Sequence, residues 1–123
     1  MTAFSADAHR EHGHIRLELA GDLDLGARTT FDRACLSAAA ASGGLGLVID
    51  LSELEFCDLA GQRGLLRCRA DGSLLVGAPP CVQRLFELTG HSELLSVDLR
   101  SEALHLPIRD RCPVPALAAL QLI

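Results

Sequence analysis

The chain has 123 residues, enough for one domain of common size with a single hydrophobic core and too few for a second. About half the residues are apolar, yet Trp and Tyr are absent and Phe occurs only four times, so the core must be built from Leu, Val, Ile and Ala. The net charge of −5 is spread among interspersed acids and bases, without the basic stripe that would neutralise phosphates, which excludes nucleic acid as the expected partner.

The elements follow in chain order. A short strand is expected around Ala3–Arg10, turned by "EHG". "HIRLELAGDLDL" then alternates Ile15, Leu17 and Leu19 against Arg16 and Glu18, the pattern of a half-buried strand ending near Gly21. From Ala27 to Ala41, Phe31, Ala34, Cys35 and Ala38 fall at helical spacing, and Gly43-Gly44 stops the helix. "LGLVIDL" is a continuous apolar run between glycines, the signature of a central strand buried on both faces. A helix is expected from Asp58 to Arg69, a turn at "ADGS", and a buried strand in "LLVGAPP". Pro80 opens a helix on which Val82, Leu85, Phe86 and Thr89 share a face, capped by Gly90. "LLSVDLR" supplies a last strand. Beyond Ser101 three prolines break the chain before a short apolar helix in "ALAALQLI".

Strands alternating with helices predict an α/β domain over residues 1–100: a mixed, four- or five-stranded sheet with helices packed mainly on one side. Residues 101–123 form a tail. No run reaches the ~18 apolar residues of a membrane span, and "MTAFSADAHREHGH" carries no signal-peptide pattern, so the expected location is the cytoplasm, without membrane insertion. Five widely spaced cysteines with no C-x-x-C are expected to be reduced and structural.

Function in parallel sheets sits beyond the carboxyl ends of the strands, where Asp24 and Asp58 fall. Either can cap a helix, and Asp24 can equally line a contact surface. His9, His12 and His14 lie close together but lack a completing ligand set, so a solvated turn is expected rather than a metal site. Asp22 and Asp24 share a strand face, a weak metal signal. Arg63, Arg67 and Arg69 lie along the short helix, and Arg63, one turn from the corner, could meet an acidic partner. No Ser or Cys has an oriented base, and the glycines at 43, 44 and 46 precede a strand rather than a helix; neither an enzyme nor a cofactor site assembles.

Four stretches, taken in order, resemble the STAS family of anti-sigma-factor antagonist domains: "GDLDL" at 21–25, "LVIDLSELEFCDLAG" at 47–61, "LLVGAPPCVQRLFELTGHSELL" at 74–95 and "SVDLR" at the end. The resemblance implies a domain that docks on an anti-sigma factor or serine kinase of the HATPase type. In partner-switching members that kinase phosphorylates the hydroxyl residue just before the corner glycine, and the phosphorylated form releases it. A helix N-terminus tolerates such a phosphate, and nearly two added charges can repel a partner. Carried over, that position is Ala60, which cannot accept phosphate, and its small polar neighbour is Leu59; Asp58 and Gly61 remain. The helix that follows is also about two turns shorter than the family's usual one. The resemblance therefore implies a partner-binding surface of Asp24, Asp58, Leu59, Ala60, Gly61 and Arg63 that is permanently unmodified. It also leaves open a structural subunit of a stressosome-like or lipid-transport assembly and a domain that binds a small molecule; the tail "PVPALAALQLI" is itself apolar enough to close the domain's own core or to mediate a homodimer.

Overall fold

The computed structural model describes residues 2–96. Strand β1 (Ser5–Glu11) turns back into β2 (His14–Leu23); a 3-10 turn (Leu25–Ala27) leads into helix α1 (Arg28–Ser42). Then come β3 (Gly46–Cys57), α2 (Leu59–Ala70), β4 (Leu74–Val76), α3 (Pro80–Leu88), a second 3-10 turn (Ser92–Leu94) and β5 (Leu95–Ser96). The five strands form one sheet in the order β1-β2-β3-β4-β5, with β1 antiparallel to β2 and every other pair parallel. This is the expected mixed sheet. Positions 97–100 of the last expected strand and the tail 101–123, with its expected short helix, lie outside the described residues.

The helices gather on one face because each carries a single apolar stripe. Phe31, Cys35 and Ala38 of α1, Leu65 and Cys68 of α2, and Val82 and Phe86 of α3 join Ile15, Leu17, Leu19, Leu47, Ile49, Leu51 and Leu75 in one buried cluster. Each large side chain so buried stabilises the fold by roughly 1.5–3 kcal/mol. Thr89 is not part of α3 but its C-cap; its hydroxyl donates to the Leu85 carbonyl and accepts from Gln62 Nε2 at 2.8 Å, tying α3 to α2.

Two features differ from the sequence reading. β3 runs to Cys57 instead of stopping at Leu51. Its register against β2 slips twice, between Glu18 and Ala20 and between Gly21 and Asp22, so β3 carries an extra residue at each point. Bulges of this kind change the inward spacing from two to three, and Leu51, Leu54 and Cys57 all reach the core while Ser52, Glu53, Glu55 and Phe56 stay exposed. A strand with that spacing carries no period-two signal.

The second difference is Arg16, expected to point into solvent and in fact 1 % exposed. Its guanidinium donates from Nη1 to Asp50 Oδ2 at 2.8 Å and from Nε to Glu11 Oε1 at 3.1 Å, and Asp50 Oδ1 accepts from the Ser52 amide and hydroxyl. His14 is buried beside it, its Nε2 2.9 Å from Glu11 Oε1 and its Nδ1 3.0 Å from the His12 carbonyl, while His9 and His12 are exposed. With Val48, Leu74 and Val76 clustered on the same side, β2 is buried on both faces, as β3 is.

Burial by itself would raise the Asp50 and Glu11 carboxyls. The Ser52 and Arg16 hydrogen bonds to Asp50, and the Arg16 and His14 contacts to Glu11, outweigh it and hold both below the ordinary range. Folded-state values below the unfolded ones mean stability that is present above the ordinary carboxylate range and lost as pH falls through the depressed values. Thermal melts across that acid range should therefore show a steady loss of stability. At neutral pH, Asp50→Asn should destabilise by about 3 kcal/mol, and its melting temperature should fall less steeply with acid. A flat wild-type profile would remove this network from the forces holding the sheet.

Candidate functional site

The parallel strands β2 and β3 end side by side, which brings Asp24 and Asp58 to one edge of the sheet. Helix starts leave backbone N–H groups without partners, and each Asp answers one. Asp24, in extended conformation just past β2, accepts from the Ala27 amide at 3.0 Å. Asp58, also extended, spans two elements: Oδ1 accepts from the Gly61 amide at 2.8 Å, capping α2, and Oδ2 accepts from the Leu25 amide at 3.2 Å. Its own amide donates to the Leu23 carbonyl at 3.2 Å. One residue thus fixes the start of α2 against the end of β2.

Gly61 is the reason this corner can be so tight. A Cβ there would overlap the Leu23 carbonyl oxygen, stand 2.8 Å from Leu23 Cγ and 3.1 Å from Cys57 Sγ. With α2 drawn in at Gly61, the two residues before it are left at the rim. Leu59 is 55 % exposed and Ala60 is half-buried, its carbonyl accepting from Arg28 Nη1 of α1 at 2.9 Å. Arg63 is exposed on the next turn of α2. No residue from Glu55 to Leu66 carries a hydroxyl.

Of the residues singled out in the sequence, Asp24, Asp58, Leu59, Ala60 and Gly61 lie together at this edge, with Arg63 just along the helix. Two more belong with them. Leu25, bound through its amide to Asp58, is 72 % exposed, and Phe56 at the end of β3 is 48 % exposed. Leu25 was legible as a Leu flanked by Asp24 and Gly26 in a loop, whereas Phe56 required knowing that β3 is bulged. The segments that end β2 and β3 expose Leu25, Phe56 and Leu59 and also carry Asp22, Asp24, Glu53, Glu55 and Asp58.

The thiol at the corner is inert. Burial first, then the Asp58 charge and Cys81, push Cys57 up to about 12, so it stays protonated at neutral pH. No group of three or more His, Cys, Asp or Glu side chains suited to a metal occurs among the described residues. No helix among them is long and apolar enough to cross a membrane.

The fold is shared with solved structures. An anti-sigma factor antagonist from Mycobacterium paratuberculosis superposes with a TM-score of 0.71 at 22% identity, covering 88% of this chain and 96% of that one. The anti-sigma factor antagonist SpoIIAA in its unphosphorylated form matches at 0.61 and 20%, over 82% of this chain and 92% of its own. The Bacillus cell fate determinant SpoIIAA in its phosphorylated form matches at 0.55 and 21%, over 82% and 96%. These define the class as a SpoIIAA-like α/β domain. The sequence family described as "Mlab, STAS domain" matches residues 6–97, three-quarters of the chain, and the chain belongs to the STAS family. No curated protein matches it in sequence.

The corner geometry makes a ranked forecast. Asp58→Ala should cost about 1–2 kcal/mol in urea denaturation through loss of the cap and the Leu25 bond. Gly61→Ala should cost at least as much, because its methyl must displace backbone rather than a flexible side chain. A neutral Gly61→Ala would show that the corner is looser than described.

Proposed function

We propose that this chain is a non-enzymatic regulatory domain of the anti-sigma-factor antagonist type, acting in the cytoplasm. It docks on an anti-sigma factor or serine kinase of the HATPase type through the rim of Asp24, Asp58, Leu59, Ala60, Gly61 and Arg63. The observation that supports this best is the exposure of Leu59 beside a half-buried Ala60 at the N-terminus of α2. At the position that the family phosphorylates stands hydrocarbon, so the contact is always available and never gains a phosphate's charge. Exposed apolar side chains carried on the same segments as carboxylates suit a stable contact with charge to steer the partner.

A second reading, a structural subunit of a larger assembly, draws on the Mlab name of the matching family. The two separate by size: a free monomer or dimer in light scattering favours the first reading, and isolation only within a large complex favours the second.

The docking test is binding of purified kinase domains of this type with and without ATP. Wild type should bind equally in both conditions and incorporate no phosphate. Leu59→Asp, which places a charge on the exposed rim, should weaken binding at least about tenfold, equivalent to about 1.4 kcal/mol. Ala60→Ser should become a phosphate acceptor and release the partner when ATP is present. If wild type binds no such kinase while Ala60→Ser both binds and is phosphorylated, the always-available contact is wrong.

A further inference from the structure

Helices α1 and α2 both return from parallel strands and therefore run side by side in the same direction. Their contacts advance in step, one turn at a time. Arg28 of α1 reaches the Ala60 carbonyl of α2 at 2.9 Å. Next, Phe31 lies against Gly64, where a Cβ would stand only 2.8 Å from the Phe31 ring. One turn further on both helices, Cys35 Sγ and Cys68 Sγ are 3.5 Å apart. Gly64 permits the close crossing, and the two thiols sit directly beyond it, at 9 % and 7 % exposure. Neither cysteine takes part in the rim chemistry.

We propose that Cys35 and Cys68 form an oxidation site, a thiol pair that a peroxide converts to a disulfide linking α1 to α2. The sulfurs must close by about 1.5 Å to reach bonding distance. In the first step one sulfur attacks a peroxide oxygen, the O–O bond breaks, and the leaving oxygen takes the thiol proton away as water, leaving a sulfenic acid. In the second step the other sulfur attacks that sulfenic sulfur, the S–O bond breaks, and a second water leaves with the remaining proton. The two thiols lose two hydrogens and two electrons, and the peroxide is reduced to two waters.

The hydrogen bond with Cys68, followed by burial, pushes the Cys35 thiol far up. The pair is therefore slow to react and stays reduced until oxidant persists, reacting through local openings of the helix pair. Among the described cysteines, Cys81 is the exposed one and reacts first. Because α2 starts at Leu59, just after the Asp58 cap, the linkage fixes the helix that carries the rim, whichever partner the rim serves.

The test is intact-mass analysis of the full chain in a Cys81→Ser background, treated with hydrogen peroxide and digested without reductant. The expected product has lost about 2 Da. It yields a peptide joining Cys35 to Cys68, melts roughly 10 °C higher and reverts with dithiothreitol. Cys35→Ser and Cys68→Ser should each abolish the mass loss and the shift. Because the product is mapped in a background that keeps both cysteines, the outcome does not depend on those variants folding. An unchanged mass, stepwise addition of oxygen to either sulfur, or an internal crosslink through other cysteines would overturn the assignment.

Discussion

One carboxylate holds together the edge of this domain at the ends of β2 and β3. Asp58 caps α2 through the Gly61 amide and at the same time binds the Leu25 amide from the loop after β2. A helix start and a strand end that are far apart in sequence are thereby fixed to each other by two hydrogen bonds to one charged group, the strong kind. Everything exposed at the rim takes its position from this. Leu25 projects because its backbone is held down, and Leu59 projects because the turn it begins is anchored at Gly61.

The same edge explains why a change of two residues could alter the behaviour of such a domain without altering its fold. Capping needs the Asp58 carboxylate and the absence of a side chain at Gly61; neither requirement reaches Leu59 or Ala60. These two positions can therefore be polar and modifiable, or apolar and inert, at little cost to stability. The fold is that of the anti-sigma factor antagonists from Mycobacterium paratuberculosis and Bacillus, while the corner carries its own side chains. The cap at Asp58 and Gly61 and the side chains of Leu59 and Ala60 occupy neighbouring residues but depend on different atoms.

How much of this was legible in the sequence depended on how regular each element is. The boundaries of α2 and the cap at Asp58 were plain, because an Asp ahead of a helical stretch is a local signal. The second half of β3 was hidden, since two bulges place Leu51, Leu54 and Cys57 inward at intervals of three. Phe56 is hidden with it. Arg16 departs from expectation for a different reason: a charge at an alternating position implies solvent, and nothing local reveals that Asp50, thirty-four residues away, lies opposite. Likewise proximity in the chain groups His14 with His9 and His12, although the sheet buries it alone of the three. The pairing of Cys35 with Cys68 follows from helix packing at Gly64, which no spacing within either helix displays.

The most direct measurement of the central claim is an NMR titration of the isotope-labelled domain with a purified kinase domain of the HATPase type, following backbone amides and leucine methyls. If the rim is the contact, signals of Asp24, Leu25, Leu59, Ala60 and Arg63 shift or broaden together and do so identically after incubation with ATP. Perturbations gathered instead on β1 or at the far end of α1, with the α2 corner unchanged, would contradict it.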